Sequence, residues 1–164
     1  IRITTIYEGT TGIQANDLVG RKILREKGAT LREFIAELSA FAAEFEAAGF
    51  QPLAARLLED IDALTRALDW ILASGKDDLA AVLAGASPFL MLLGAVCASW
   101  QMGCIAIAAN RPAARQAWGE AYTQGLIDLA HFHAACLGSE APSLAVAVIG
   151  AGAVTRASRV LFTA

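Results

Sequence analysis

The sequence predicts an all-α protein, an antiparallel up-and-down helical bundle of four to five long helices. Apolar residues recur at spacings of three and four through most of the chain, and no segment alternates convincingly with a period of two. Composition adds a third observation: 56% hydrophobic residues against 18% charged exclude disorder and require either extensive burial or membrane insertion. At 164 residues the chain is long enough for one domain with a real core, or for one domain plus a severed end.

The elements follow in order. An extended segment opens the chain, and a short helix is expected near Gln14 to Arg25. Between Leu31 and Ala48 the large apolar residues are Leu31, Phe34, Ile35, Leu38, Phe41 and Phe45, one face of an amphipathic helix. Thr30 is placed to cap it and Gly49 to end it. After Pro52 the same spacing resumes through Leu53, Leu57, Ile61, Leu64, Leu68, Ile71 and Leu72, then stops at the polar run beginning at Ser74. So short a connection makes these two helices antiparallel neighbours.

From Leu79 to Asn110 no residue is charged. Gly85, Ser87 and Pro88 interrupt the run, with Ser87 expected as the cap of a helix from Pro88 to about Asn110. Pro112 starts the next helix, whose stripe is Trp118, Tyr122, Leu126, Leu129, Phe132 and Cys136. Pro142 opens the last, which carries Leu144, Val148 and Val154 before Arg156 and Arg159 turn outward.

The uncharged helix is long enough to span a bilayer. Against that reading stand Ser99, Gln101 and Asn110 within it, flanks at Lys76 and Arg111 without clear bias, and a charged face on every neighbouring helix. The central helix of a soluble bundle is also apolar all round, and a membrane role is not expected. Gly94, Ala98, Gly103 and Ala106 suggest close approach of another helix.

Other function classes are bounded by charge and by reactive residues. A net charge of −3 with scattered Lys and Arg argues against nucleic acid. Cys97, Cys104 and Cys136 have no metal or redox spacing, and read as small core residues of a reduced cytoplasmic protein. His131 and His133 point about 200° apart on a regular helix, so they cannot share an ion. His133 with Cys136, or Asp128 with His131, lack further ligands, and no metal site is expected. Gly150 to Val154 lacks the full dinucleotide fingerprint and a preceding strand. Trp70, Trp100 and Trp118 are assigned to core or interface packing. The opening residues carry no signal or transit pattern and no initiator methionine, so a natural N-terminus is expected further upstream.

The polar run Tyr7-Glu8-Gly9-Thr10-Thr11-Gly12-Ile13-Gln14 stands apart from the rest. It resembles the active-site motif near the C-terminal end of the acyl-CoA dehydrogenases, with Tyr7, Glu8, Gly9, Thr10, Ile13 and Gln14 agreeing in order and spacing. That likeness covers roughly the first 25 residues; the remainder is similar in architecture and composition to the extra C-terminal helical domain of a subgroup that includes the 3-methylmercaptopropionyl-CoA dehydrogenases. The resemblance divides the chain into residues 1–28, the end of a catalytic domain, and 29–164, a C-terminal bundle. It implies a parent enzyme that uses FAD to convert an acyl-CoA thioester to a trans-2-enoyl-CoA and passes electrons to an electron-transfer flavoprotein.

It further implies that Glu8 is the catalytic base, that Gly9 lets the backbone approach the substrate, and that Thr10, Thr11 and Gly12 contact FAD. The chemistry fits these types: an α-proton that is a poor acid needs a carboxylate in a dry pocket, and a residue without Cβ permits close approach. Gly12 replaces a glutamine common in medium-chain relatives. Without the domains that supply most FAD and acyl-CoA contacts, the chain by itself is expected to be inactive and to hold no cofactor, serving as a structural domain and forming a homo-oligomer. The alternative is a non-enzymatic helical docking or oligomerisation module.

Overall fold

The computed structural model describes residues 10–137 and 140–162, and is helical with no strand among the described residues. The leading helix α1 (Thr11–Asn16) passes directly into a π-helical stretch, Asp17–Ile23. One side of this continuous segment is apolar, and Ala15, Val19 and Ile23 are buried along it. The expected short helix is therefore present, with a π-helical second half that its sequence did not announce.

Helix α2 (Ala29–Ala47) does not use Thr30 as its cap. The N-cap is Gly28, at φ 74° in the left-handed region, and the Thr30 hydroxyl instead donates to Glu26 Oε2 at 2.7 Å. Position 28 needs glycine twice over: its backbone conformation disfavours a side chain, and a Cβ there would lie 3.0 Å from Leu72 Cδ1. The C-terminus of α2 is a Schellman closure, in which Gly49 N–H donates to Glu46 O at 3.0 Å and Phe50 N–H to Phe45 O at 2.8 Å. Gly49 takes φ 88° to make it, and buried Phe50 seals the corner.

That corner leads into α3 (Gln51–Ser74), with Pro52 in its first turn. The predicted stripe is its core face: Leu53, Leu57, Ile61, Leu64, Leu68 and Ile71 are all buried. A short helix α4 (Leu79–Ala84) follows, capped by Asp78, whose carboxylate accepts from Ala81 N–H at 3.1 Å. Helix α5 (Ala86–Ala109) starts two residues before the expected Pro88; its N-cap is Gly85, and Ser87 caps nothing.

Helix α5 is the axis of the bundle, in contact with α1, α2, α3 and α4 and with the helices that follow it. Its buried residues, Phe89, Leu92, Val96, Ser99, Gly103 and Ala106, step by threes and fours. Trp100 beside them meets Phe34 edge-on at 5.7 Å and Phe41 at 5.4 Å between ring centroids. Of the small residues expected to admit a neighbour, Gly103 does so and Gly94 does not, since nothing lies within 4 Å of a Cβ at 94.

The single helix expected from Pro112 to Cys136 is broken. Helix α6 (Pro112–Trp118) ends at Gly119, whose φ of 86° and ψ of 149° suit glycine alone. Helix α7 (Glu120–Phe132) then runs into a π-turn, His133–Leu137. Its buried face is Thr123, Ile127 and Ala130. The predicted stripe points the other way: Trp118, Tyr122, Leu129 and Phe132 are all about half exposed or more, with Trp118 at 67%. Trp118 is thus not a core residue, and its ring stacks on Tyr122 at 5.8 Å. Cys136 is exposed as well, and only Cys97 and Cys104 are even half-buried. Helix α8 (Ala141–Phe162) closes the bundle with Ala145 and Val148 buried. The side chains of Val154, Arg156 and Arg159 lie outside the described residues.

Candidate functional site

Among the described residues, two places group chemistry-bearing side chains. The first is the N-terminal motif. Glu8 and Gly9 lie outside the described residues. Thr10 precedes α1 and accepts the Gln14 N–H on its carbonyl at 2.9 Å. Thr10, Thr11, Gly12, Ile13 and Gln14 form a continuous exposed run, with Ile13 at 69%, before burial begins at Ala15. A Cβ at Gly12 would meet nothing within 4 Å. The residues implied to contact FAD are therefore brought together on one open turn, with no wall of the described residues around them.

Between the π-helical stretch, α2 and α5 is an apolar cavity of about 320 Å³, lined by Leu18, Ile23, Leu31, Phe34, Leu93 and Cys97 together with Lys22 and Glu26. Burial pushes the Cys97 thiol above its ordinary range. Burial, and after it the nearby Glu44, also push the Cys104 thiol up. Neither is an activated nucleophile.

The second place is a buried polar chain that joins α3, α5 and the π-turn. Asp60 is fully buried. Arg56, one turn earlier, donates from Nε to Asp60 Oδ1 at 2.9 Å, with Nη2 2.7 Å from the same oxygen, and its Nη1 lies 2.9 Å from Glu59 Oε2. The Ser99 hydroxyl lies 2.6 Å from Asp60 Oδ2, and His133 Nε2 lies 3.3 Å from Ser99 Oγ. Desolvation raises the Asp60 carboxyl above its ordinary value, opposed by the Ser99 hydrogen bond, by Arg56 and by His133.

Asp, Ser and His in this order do not make a nucleophilic site. In hydrolytic triads the imidazole stands between serine and carboxylate and takes the serine proton; here serine stands between the other two. Ser99 is also only 5% exposed. The arrangement is structural, and it was invisible as a unit because its members are 39 and 34 residues apart. One hint was legible: a carboxylate at position 60 falls within the stripe Leu57, Ile61, Leu64, with an arginine one turn before it. No group of three or more His, Cys, Asp or Glu side chains among the described residues could hold a metal ion.

Residues 34–157 match the family described as Acetyl-CoA dehydrogenase C-terminal like, and the chain belongs to that acyl-CoA dehydrogenase C-terminal family. It is 45% identical over 116 residues to the 3-methylmercaptopropionyl-CoA dehydrogenase of Ruegeria pomeroyi, an alignment covering 70% of this chain and 20% of that protein. It is 30% identical over 118 residues to the broad-specificity linear acyl-CoA dehydrogenase FadE5 of Mycobacterium tuberculosis, covering 66% and 19% respectively. The matched region thus amounts to one fifth of the length of these curated relatives.

Proposed function

We propose that the chain is the C-terminal part of a flavin-dependent acyl-CoA dehydrogenase, in which residues 1–28 complete the active site and residues 29–164 form a structural bundle. The observation that carries this reading is the exposed run Thr10 to Gln14 at the head of a bundle of the dehydrogenase C-terminal family. In the proposed enzyme Glu8 removes the α-proton of an acyl-CoA thioester. Gly9 brings its backbone to the substrate, and Thr10, Thr11 and Gly12 border the cofactor. The bound flavin would supply the acceptor for the β-hydride, and an electron-transfer flavoprotein would reoxidise it. Alone, the 164-residue chain is inactive on this reading, since one open turn cannot exclude water from a carboxylate. Three cysteines without a metal or redox spacing suit a cytoplasmic setting.

The test uses the parent enzyme: flavin absorbance should bleach on addition of a suitable acyl-CoA, and Glu8→Gln should abolish the bleaching. Normal turnover in that variant would overturn the assignment of Glu8.

A second reading, a docking or oligomerisation module, is favoured by one observation. Helix α7 buries Thr123, Ile127 and Ala130 on one side and exposes Tyr122, Leu129 and Phe132 on the other. An apolar face of this kind suits association, and a homo-oligomer is the form proposed. The two readings are compatible within one enzyme.

A further inference from the structure

The polar chain through Asp60 fixes where each proton sits. Arg56 occupies Asp60 Oδ1, and the 2.6 Å separation of Ser99 Oγ from Asp60 Oδ2 is that of a hydroxyl donating to a carboxylate. Serine has one proton to give, and it is committed to Asp60. Toward His133 the Ser99 oxygen can therefore only accept, so the proton on that 3.3 Å contact must come from the imidazole. His133 is at the same time the first residue of the π-turn, where α7 abandons its regular register. On α3, Asp60 is paired with Arg56, and Glu59 lies on the far side of the guanidinium.

We propose that Asp60, acting through Ser99, holds His133 in its Nε2–H form, and that this hydrogen-bonded chain is a latch securing the π-turn to the core. His133 is the first residue of the turn, so the latch pins the end of α7 at the point where the π-helical register begins. Without the latch the turn relaxes toward regular helix, which rotates the later residues of the turn by about 100°. The inference concerns the bundle alone and does not depend on the proposed enzymatic role.

The test is nitrogen-resolved NMR of the histidine side chains in the 164-residue chain, at a pH where imidazole is neutral, with His131→Gln to assign the two rings. The expected pattern for His133 is a single Nε2–H tautomer. Ser99→Ala should replace it by a tautomer mixture and speed amide exchange across residues 133–137 by about tenfold, the order expected for one hydrogen bond. A predominantly Nδ1–H His133 in the unmodified protein overturns the proposal, and this arm needs no variant to fold. Unchanged exchange in a folded Ser99→Ala protein overturns the latch.

Discussion

Gly103 of α5 faces the ring of Phe45 on α2 so closely that a Cβ at position 103 would overlap the Cε2 and Cζ atoms of the ring. Phe45 is fully buried, so its ring has nowhere to retreat. Gly103→Ala should therefore destabilise the bundle by about 1–3 kcal/mol through overpacking, against the usual gain from alanine within a helix. Thermal unfolding of Gly103→Ala, and of Gly103→Ala combined with Phe45→Leu, checks this. The double variant should recover part of the loss if the clash is its cause.

The buried carboxylate gives stability a pH dependence of definite sign. Asp60 has a native pKa above its ordinary 3.8, so between those two values the folded protein binds more protons than the unfolded one. Its contribution is fully present below 3.8 and is lost as pH rises through the raised native value. Arg56→Met removes the partner of that charge and should cost about 3–5 kcal/mol at neutral pH. The cost should shrink on acidification, and Asp60→Asn should flatten the slope. Denaturant titrations across the acid range measure both.

Two glycines exposed to solvent should respond oppositely to alanine. Gly94 lies within α5 with open space around it, and Gly94→Ala should stabilise by about 0.5–1 kcal/mol. Gly119 also has open space but sits at φ 86° and ψ 149°, where a side chain is strained, and Gly119→Ala should cost about 1–3 kcal/mol. A pair of melting curves decides it.

The exposed face of α7 makes a prediction about association. Tyr122→Ser and Phe132→Ser should change monomer stability by no more than about 0.5 kcal/mol, as expected of surface sites. If the face mediates the proposed homo-oligomer, sedimentation should show a weakened assembly in both variants. A monomer before and after substitution would remove this face from consideration.

Much of the bundle was legible in the sequence because helix α3 obeys one rule throughout: a stripe at threes and fours, a proline in the first turn and a glycine after the last. The failures have separate physical causes. Thr30 and Ser87 are good capping types, but glycines two residues earlier, Gly28 and Gly85, took the caps instead. The Trp118 to Phe132 stripe is periodic without being inward, because periodicity gives a face and not the direction it points. Around the candidate site, local sequence gave the motif from Thr10 to Gln14, whereas the Asp60–Ser99–His133 chain depends on contacts between distant helices that no spacing rule encodes.

Ala15, Val19 and Ile23 belong to the same apolar core as Leu38, Leu64 and Val96. Helix α1 and the π-helical stretch after it are therefore part of the same packed core as the long helices. A protein trimmed to begin at Ala29 would keep every long helix, yet it would expose the seam that those three side chains seal. Its melting behaviour and its tendency to aggregate would report on that open seam rather than on the intact bundle. The leading segment is thus a keystone of the fold as well as the bearer of the motif.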